Sequence, residues 1–122
     1  MSVILVVEDS HENAQLIITA MESRGYEVVW VKDGNTAIDA ALQVRPELIL
    51  MDLRLPEKDG WQATYEIRNN PHLSHIPIIA ISVEAKSDDR ARAFDAGCNE
   101  YFSKPFSVVE LREAVAHYIG MP

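Results

Sequence analysis

The chain has little with which to cross-link itself, hold nucleic acid or enter a membrane. One cysteine, Cys98, stands among 122 residues, so no internal disulfide can form. A lone cysteine behind Gly97 reads as a small buried side chain of a protein kept in a reducing compartment. Basic residues are scarce: 11 Lys and Arg face 19 Asp and Glu, for a formal net charge of -8. Phosphate backbones need clustered cations, so direct nucleic-acid binding is excluded and any such output must belong to another molecule. No apolar run approaches the ~20 residues that span a bilayer. The amino terminus turns acidic at Glu8 and Asp9, too early for a signal peptide. The expected compartment is therefore the cytoplasm, with no membrane partner. His11, His72, His75 and His117 form no i,i+4 pair and have no nearby cysteine, which argues against zinc. No glycine-rich turn follows the first apolar run; Glu8-Asp9-Ser10-His11-Glu12 stands there, so a phosphate-cradling nucleotide loop is excluded.

What is present is an alternation. Apolar runs at Val3 to Val7, Tyr26 to Val31, Leu48 to Met51, Ile76 to Ile81 and Glu100 to Phe102 are separated by stretches of helical period. Such βα repeats form a parallel sheet covered on both faces. Ser10 suits a helix N-cap, Gly25 and Gly97 suit helix ends, and Ser107 to Glu110 has the form of a capping box. Pro56 and Asp59-Gly60 mark a loop after the third strand, and Asn70-Pro71 through Pro77 a turn before the fourth. The length, 48% hydrophobic content and absence of a linker or repeat predict one domain over residues 1–122.

Four of the runs end in residues that can meet. In open α/β sheets the ligand crevice lies beyond the carboxyl ends of the strands where strand order reverses, normally between the first and third strands. Glu8, Asp9 and Asp52 would converge there. Three carboxylates in one crevice repel and raise one another's pKa unless a cation neutralises them. Oxygen ligands alone call for a hard metal, and Mg²⁺, which keeps waters and completes its shell with phosphate oxygens, fits best. Lys104 and Ser82 supply an ammonium and a hydroxyl suited to an added anion. Asp52 stands alone and is the nucleophile candidate; the adjacent Glu8 and Asp9 suit the metal. A phosphatase with an Asp nucleophile of the haloacid dehalogenase type would need a second Asp two residues on, where Arg54 stands.

Val-Val-Glu8-Asp9, Leu-Met-Asp52-Leu-Arg-Leu-Pro56, Asp59-Gly60, Ile-Ala-Ile-Ser82 and Tyr101-Phe-Ser-Lys104-Pro105-Phe106 together resemble the response-regulator receiver domain of two-component signalling. The resemblance spans nearly the whole chain. It implies a flavodoxin-like (CheY-like), doubly wound five-stranded parallel sheet of order 2-1-3-4-5 with five helices. It implies Mg²⁺-dependent phosphorylation of Asp52 from a histidine kinase or histidine phosphotransfer protein, and signalling through a downstream protein rather than action as an enzyme on a separate substrate. By position, Glu8, Asp9, Asp52 and the backbone carbonyl of Arg54 would hold the metal, and Ser82 and Lys104 the phosphoryl group. The Lys104-Pro105 peptide is usually cis in the family, which would aim the ammonium at the site. Ser82 replaces the commoner threonine, keeping the hydroxyl and losing a methyl. Tyr101 would be the switch aromatic, turning into the space that the residue 82 hydroxyl vacates and biasing the surface of the fourth helix, fifth strand and fifth helix.

The chain ends just past the last helix, so the resemblance further implies output by binding, and residues 97 to 109 resemble single-domain, DivK-like receivers of phosphorelays. A receiver excised from a hybrid kinase or larger regulator, and a phosphorylation-independent pseudo-receiver scaffold, are the alternatives. Arg54 and Glu84 lie two residues beyond Asp52 and Ser82, positions that in receivers flank the path of water to the acyl phosphate. An Arg54 to Glu84 ion pair is a candidate gate. Trp30 is read as packing on the second strand, Trp61 as a useful optical reporter. The stretch from Ala85 to Ala96, with Lys86, Arg90 and Arg92 beside Asp88, Asp89 and Asp95, reads as a helix with a solvated, salt-bridged face.

Overall fold

A computed structural model of the chain describes residues 2–83 and 86–122. Among them five strands and five helices alternate: β1 (Val3–Val7), α1 (His11–Glu22), β2 (Glu27–Val31), α2 (Gly34–Val44), β3 (Leu48–Asp52), α3 (Gly60–Arg68), β4 (Ile78–Ser82), α4 (Asp89–Ala96), β5 (Glu100–Ser103) and α5 (Val108–Ile119). All pairings are parallel and the sheet order is β2-β1-β3-β4-β5, as expected from the sequence.

The period of two along each strand sorts the core into two layers. Ile4, Val6, Leu48, Leu50, Ile79 and Ile81 face α1 and α5 through Ile17, Met21, Leu111 and Val115. Leu5, Val7, Ile49, Met51, Ile78 and Ala80 face the other side, against Ala37, Ala41, Ala63, Ile67 and Ala93. Every residue of the central strands β3 and β4 is buried, which explains their unbroken apolar runs. No helix among the described residues is long and apolar enough to cross a membrane.

The helix ends follow local chemistry. Ser10, Asp33, Asp59 and Ser107 each accept the backbone N–H three residues on, so α1, α2, α3 and α5 begin on a side-chain cap. Gly97 ends α4 at φ 117°, and a Cβ there would also fall on the Arg68 side chain. Arg68 fills that space to donate from Nε to the Gly97 carbonyl at 2.7 Å and from Nη1 to the Ile76 carbonyl at 2.6 Å, tying α3 to the entry of β4 and the exit of α4.

Several boundaries differ from the sequence expectation. Tyr26 precedes β2, because its N–H closes onto the Met21 carbonyl at 3.3 Å in the turn that ends α1. Gly25, at φ 91°, lies in that turn, two residues past the C-cap Ser23. Ile76 bonds back to the Leu73 carbonyl at 3.1 Å and precedes β4. At the other end Asp52 and Ser82 are the last residues of β3 and β4 rather than the first beyond them. The fourth helix starts at Asp89, and its polar face is solvated as expected at Lys86, Asp88, Arg90, Arg92 and Asp95, with Asp89 the exception. Asp89 is 1% exposed, Arg92 stacks 4.1 Å from the Trp61 ring, and Arg90 lies 5.5 Å from the rings of Phe94 and Tyr101. Arginine covers aromatic faces more readily than it forms exposed ion pairs of consequence.

Candidate functional site

The register brings the strand ends together. Val7 pairs with Met51, so Glu8 and Asp52 are neighbours one residue further along, while Ser82 pairs with Ser103, immediately before Lys104. The sheet order reverses between β1 and β3, and the acids open into that crevice.

Each side chain is held from behind. The Glu8 peptide is clamped on both sides: its N–H donates to the Val31 carbonyl at 3.0 Å and its carbonyl accepts from Trp30 Nε1 at 2.8 Å. Trp30 therefore supports the site as well as packing on β2, and His11 meets its ring edge-on at 5.2 Å. Behind Asp52 lies Gly60, whose N–H donates to the Leu53 carbonyl at 2.9 Å. A Cβ at Gly60 would fall on the Asp52 carbonyl oxygen, so only glycine lets the start of α3 press against the end of β3. Lys104 is drawn in by its own N–H, which donates to the Ser82 carbonyl at 2.8 Å, and its peptide to Pro105 is cis.

At the centre the Lys104 ammonium donates to Glu8 Oε1 at 2.8 Å and to Asp52 Oδ2 at 3.1 Å. The remaining oxygens accept backbone N–H groups: Glu8 Oε2 from Ser10 at 3.1 Å, Asp52 Oδ1 from Arg54 at 3.0 Å. Glu8 and Asp52 are 1% and 5% exposed, whereas Asp9 stands open to solvent at the rim. Burial, then the hydrogen bond and charge of Asp52, push Glu8 up to about 7, with Lys104 pulling the other way. Burial alone would lower Lys104, but its bond to Glu8 and the charges of Asp52 and Glu8 outweigh that and raise it. One ammonium thus serves two buried carboxylates, and negative charge is left over.

Glu8, Asp9 and Asp52 offer one oxygen each within 4.8 Å of one another. Three hard oxygen donors with surplus negative charge fit a divalent cation such as Mg²⁺. Ser82 is 1% exposed, and its hydroxyl donates to the Val83 carbonyl at 3.3 Å. Tyr101 is 5% exposed, its ring in the layer that includes Met51 and Ala80.

Against known proteins, residues 4–116 match the family model described as the response regulator receiver domain. The chain belongs to that family. The receiver is 38% identical over 117 residues to the polar-differentiation response regulator DivK of Brucella anthropi, covering 96% of this chain and 95% of that protein. In structure it resembles the receiver domain of the sensor histidine kinase PA1611 from Pseudomonas aeruginosa, which has a magnesium ion coordinated in its active-site cleft; identity is 41%, the TM-score 0.90, and 98% of each chain is covered. The signal receiver domain of a signal transduction histidine kinase from Syntrophus aciditrophicus is similar at 29% identity and a TM-score of 0.92, over 98% of this chain and 90% of that one.

Sequence reasoning brought Glu8, Asp9, Asp52 and Lys104 to one crevice and put Ser82 at the end of the neighbouring strand. Its candidate gate pairs Arg54 with Glu84, and it did not foresee a pairing of Arg54 with Asp89. Glu84 lies outside the described residues; the guanidinium of Arg54 pairs with Asp89, and its Nε donates to the Val83 carbonyl at 3.2 Å. Asp89 was read as part of a solvated face, and its burial was missed. Its only signal in the sequence is an Asp pair at the start of a helical stretch, which commonly means a solvated first turn.

Proposed function

We propose that this receiver is a phosphoacceptor: Asp52 takes a phosphoryl group from a phosphohistidine of a kinase or phosphotransfer protein, and the phosphorylated form signals by binding a downstream protein. The observation that carries the reading is a buried Asp52 that shares a single ammonium with Glu8 at the mouth of the crevice. A carboxylate oxygen of Asp52 attacks phosphorus, the P–N bond breaks, and its electron pair returns to the imidazole of the donor. Lys104 follows the charge from the carboxylates to the new phosphoryl oxygens, and Ser82 leaves the Val83 carbonyl to donate to them. Glu8, Asp9, Asp52 and the Arg54 carbonyl would hold Mg²⁺, which when bound neutralises charge on the transferring group. Tyr101 would answer the movement of Ser82. Catalysis is confined to the chain's own phosphorylation and dephosphorylation, and the cytoplasm is the compartment in which such donors act.

The test is mass spectrometry after incubation with Mg²⁺ and acetyl phosphate. One base-labile phosphoryl group is expected, lost in Asp52→Asn; stoichiometric labelling of Asp52→Asn would overturn the assignment, and a parent that takes no label would leave a pseudo-receiver scaffold. The 41% identity to a histidine-kinase receiver over nearly all of both chains supports a second reading, a receiver belonging to a hybrid kinase. The mass of the native protein in its source cells decides between the two.

A further inference from the structure

α4 begins unlike the other helices among the described residues. Its N-cap, Asp88, makes no side-chain cap bond. The first turn is held by Asp89, whose Oδ2 accepts the Lys86 N–H at 3.0 Å and also the Arg54 guanidinium. That guanidinium belongs to a residue whose backbone N–H donates to Asp52 Oδ1 at 3.0 Å. A single residue therefore touches both the acceptor carboxylate and the start of α4. Arg54 also lies 5.1 Å from the Trp61 ring, which Arg92 of α4 stacks on at 4.1 Å. Its Nε shares the Val83 carbonyl with the Ser82 hydroxyl, at 3.2 and 3.3 Å.

We propose that Arg54 is a positioning residue that latches α4 through Asp89 while Asp52 is bare, and that a tetrahedral anion on Asp52 draws the guanidinium away and releases the helix start. This rests on the phosphoacceptor reading. The Arg54 side chain is 37% exposed and so has room to turn, whereas Asp89 is 1% exposed. A planar guanidinium two residues from a new dianion finds paired oxygens that suit its fork at least as well as one carboxylate does. Asp89 then becomes a buried carboxylate that has lost its guanidinium, and opening of the first turn toward water relieves that cost. Withdrawal of the Ser82 hydroxyl from the Val83 carbonyl loosens the same node, so the two movements favour one another.

Coupling of this kind is reciprocal: if occupancy of Asp52 unlatches α4, unlatching α4 must strengthen binding at Asp52. The probe is beryllium fluoride with Mg²⁺, read by ¹⁹F NMR for binding and by amide hydrogen exchange over residues 86–96. In the parent, binding should speed exchange in the first turn of α4 about tenfold. Asp89→Ala should exchange that fast without the probe and bind beryllium fluoride about fivefold more tightly, the lower end of ordinary coupling. On an Arg54→Gln background the Asp89→Ala gain in affinity should vanish. Asp89→Asn, close in shape and neutral, gives the same reading should the alanine not fold. Unchanged or weaker affinity in the Asp89 variants, or a gain that persists without Arg54, overturns the latch alone. Failure of the parent to bind the probe at Asp52 overturns the phosphoacceptor reading itself and the latch with it.

Discussion

Two buried acid centres flank the end of β3, and their charge balance differs. On one side Glu8 and Asp52 share the Lys104 ammonium at 2.8 and 3.1 Å, with Asp9 open beside them. On the other, the buried Asp89 has the Arg54 guanidinium as its ion-pair partner. The first centre carries more acid than base, and Glu8 is pushed up to about 7 by burial and by Asp52. Among the described residues, the second sets one guanidinium against its buried acid. Burial of carboxylates therefore does not by itself mark a reactive site. A surplus of them, open at the rim to a hard cation and to an incoming anion, does; a matched pair instead holds two elements together.

The largest effect should come from removing the shared cation. Lys104→Met leaves two buried carboxylates facing each other and should cost about 3–5 kcal/mol in urea unfolding at pH 8 with EDTA. Saturating Mg²⁺ should recover part of that loss by mass action. Arg54→Met, at a pair whose cation is 37% exposed, should cost less, about 1–2 kcal/mol, because water reaches one side of it. Mg²⁺ should leave that gap unchanged. A Mg²⁺ rescue of both variants, or of neither, would erase the distinction between the two centres.

The next effect is the pH dependence of the metal-free protein. Glu8 is raised from 4.5 to about 7 on folding, so the folded state holds its proton more tightly than the unfolded one. That contribution is fully present below pH 4.5 and is lost as pH rises through about 7. In EDTA, stability should fall between those limits by on the order of 1–3 kcal/mol. Lys104 is shifted upward, so its own contribution stays in place below its ordinary range and does not distort the window. Glu8→Gln should flatten the slope, and an unchanged slope in that variant would assign it elsewhere.

How far these contrasts could be read beforehand depends on the range of the interactions. The strands were legible because β3 and β4 are buried on both faces and read as unbroken apolar runs, and the acids were legible because they interrupt those runs at one end of the sheet. Boundaries slipped where a backbone bond carries a turn into the apolar run: Tyr26 donates its N–H to the Met21 carbonyl at 3.3 Å, and Ile76 to the Leu73 carbonyl at 3.1 Å. On α4 the burial of Asp89 went unread because the contacts that decide it are distant in sequence. Arg92 meets Trp61 of α3 and Asp89 meets Arg54 of the preceding loop, pairings across 31 and 35 residues that periodicity within a helix cannot register. Counting outward from strand ends led only to Glu84, which lies outside the described residues; the pairing of Arg54 with Asp89, at the start of a helix, has no such local signal.

The smallest expected effect is the most discriminating for the acid surplus. Replacing one of two carboxylates that share an ammonium leaves a matched pair, which resembles the Arg54 to Asp89 centre in balance. Asp52→Asn should therefore be more stable than the parent in EDTA at pH 8 by about 1 kcal/mol, although it removes the proposed acceptor. It keeps an oxygen for the Arg54 N–H and leaves Lys104 to Glu8 alone, at 2.8 Å. Asp9→Asn should gain less, within about 0.5 kcal/mol, because Asp9 is exposed and water screens it. With saturating Mg²⁺ both gains should shrink or reverse, since the parent keeps more ligands for the cation. Chemical denaturation of the three proteins with and without the metal gives the order directly. Equal midpoints in EDTA would mean that Lys104 already satisfies both acids, and the surplus on which the metal site rests would have to be abandoned.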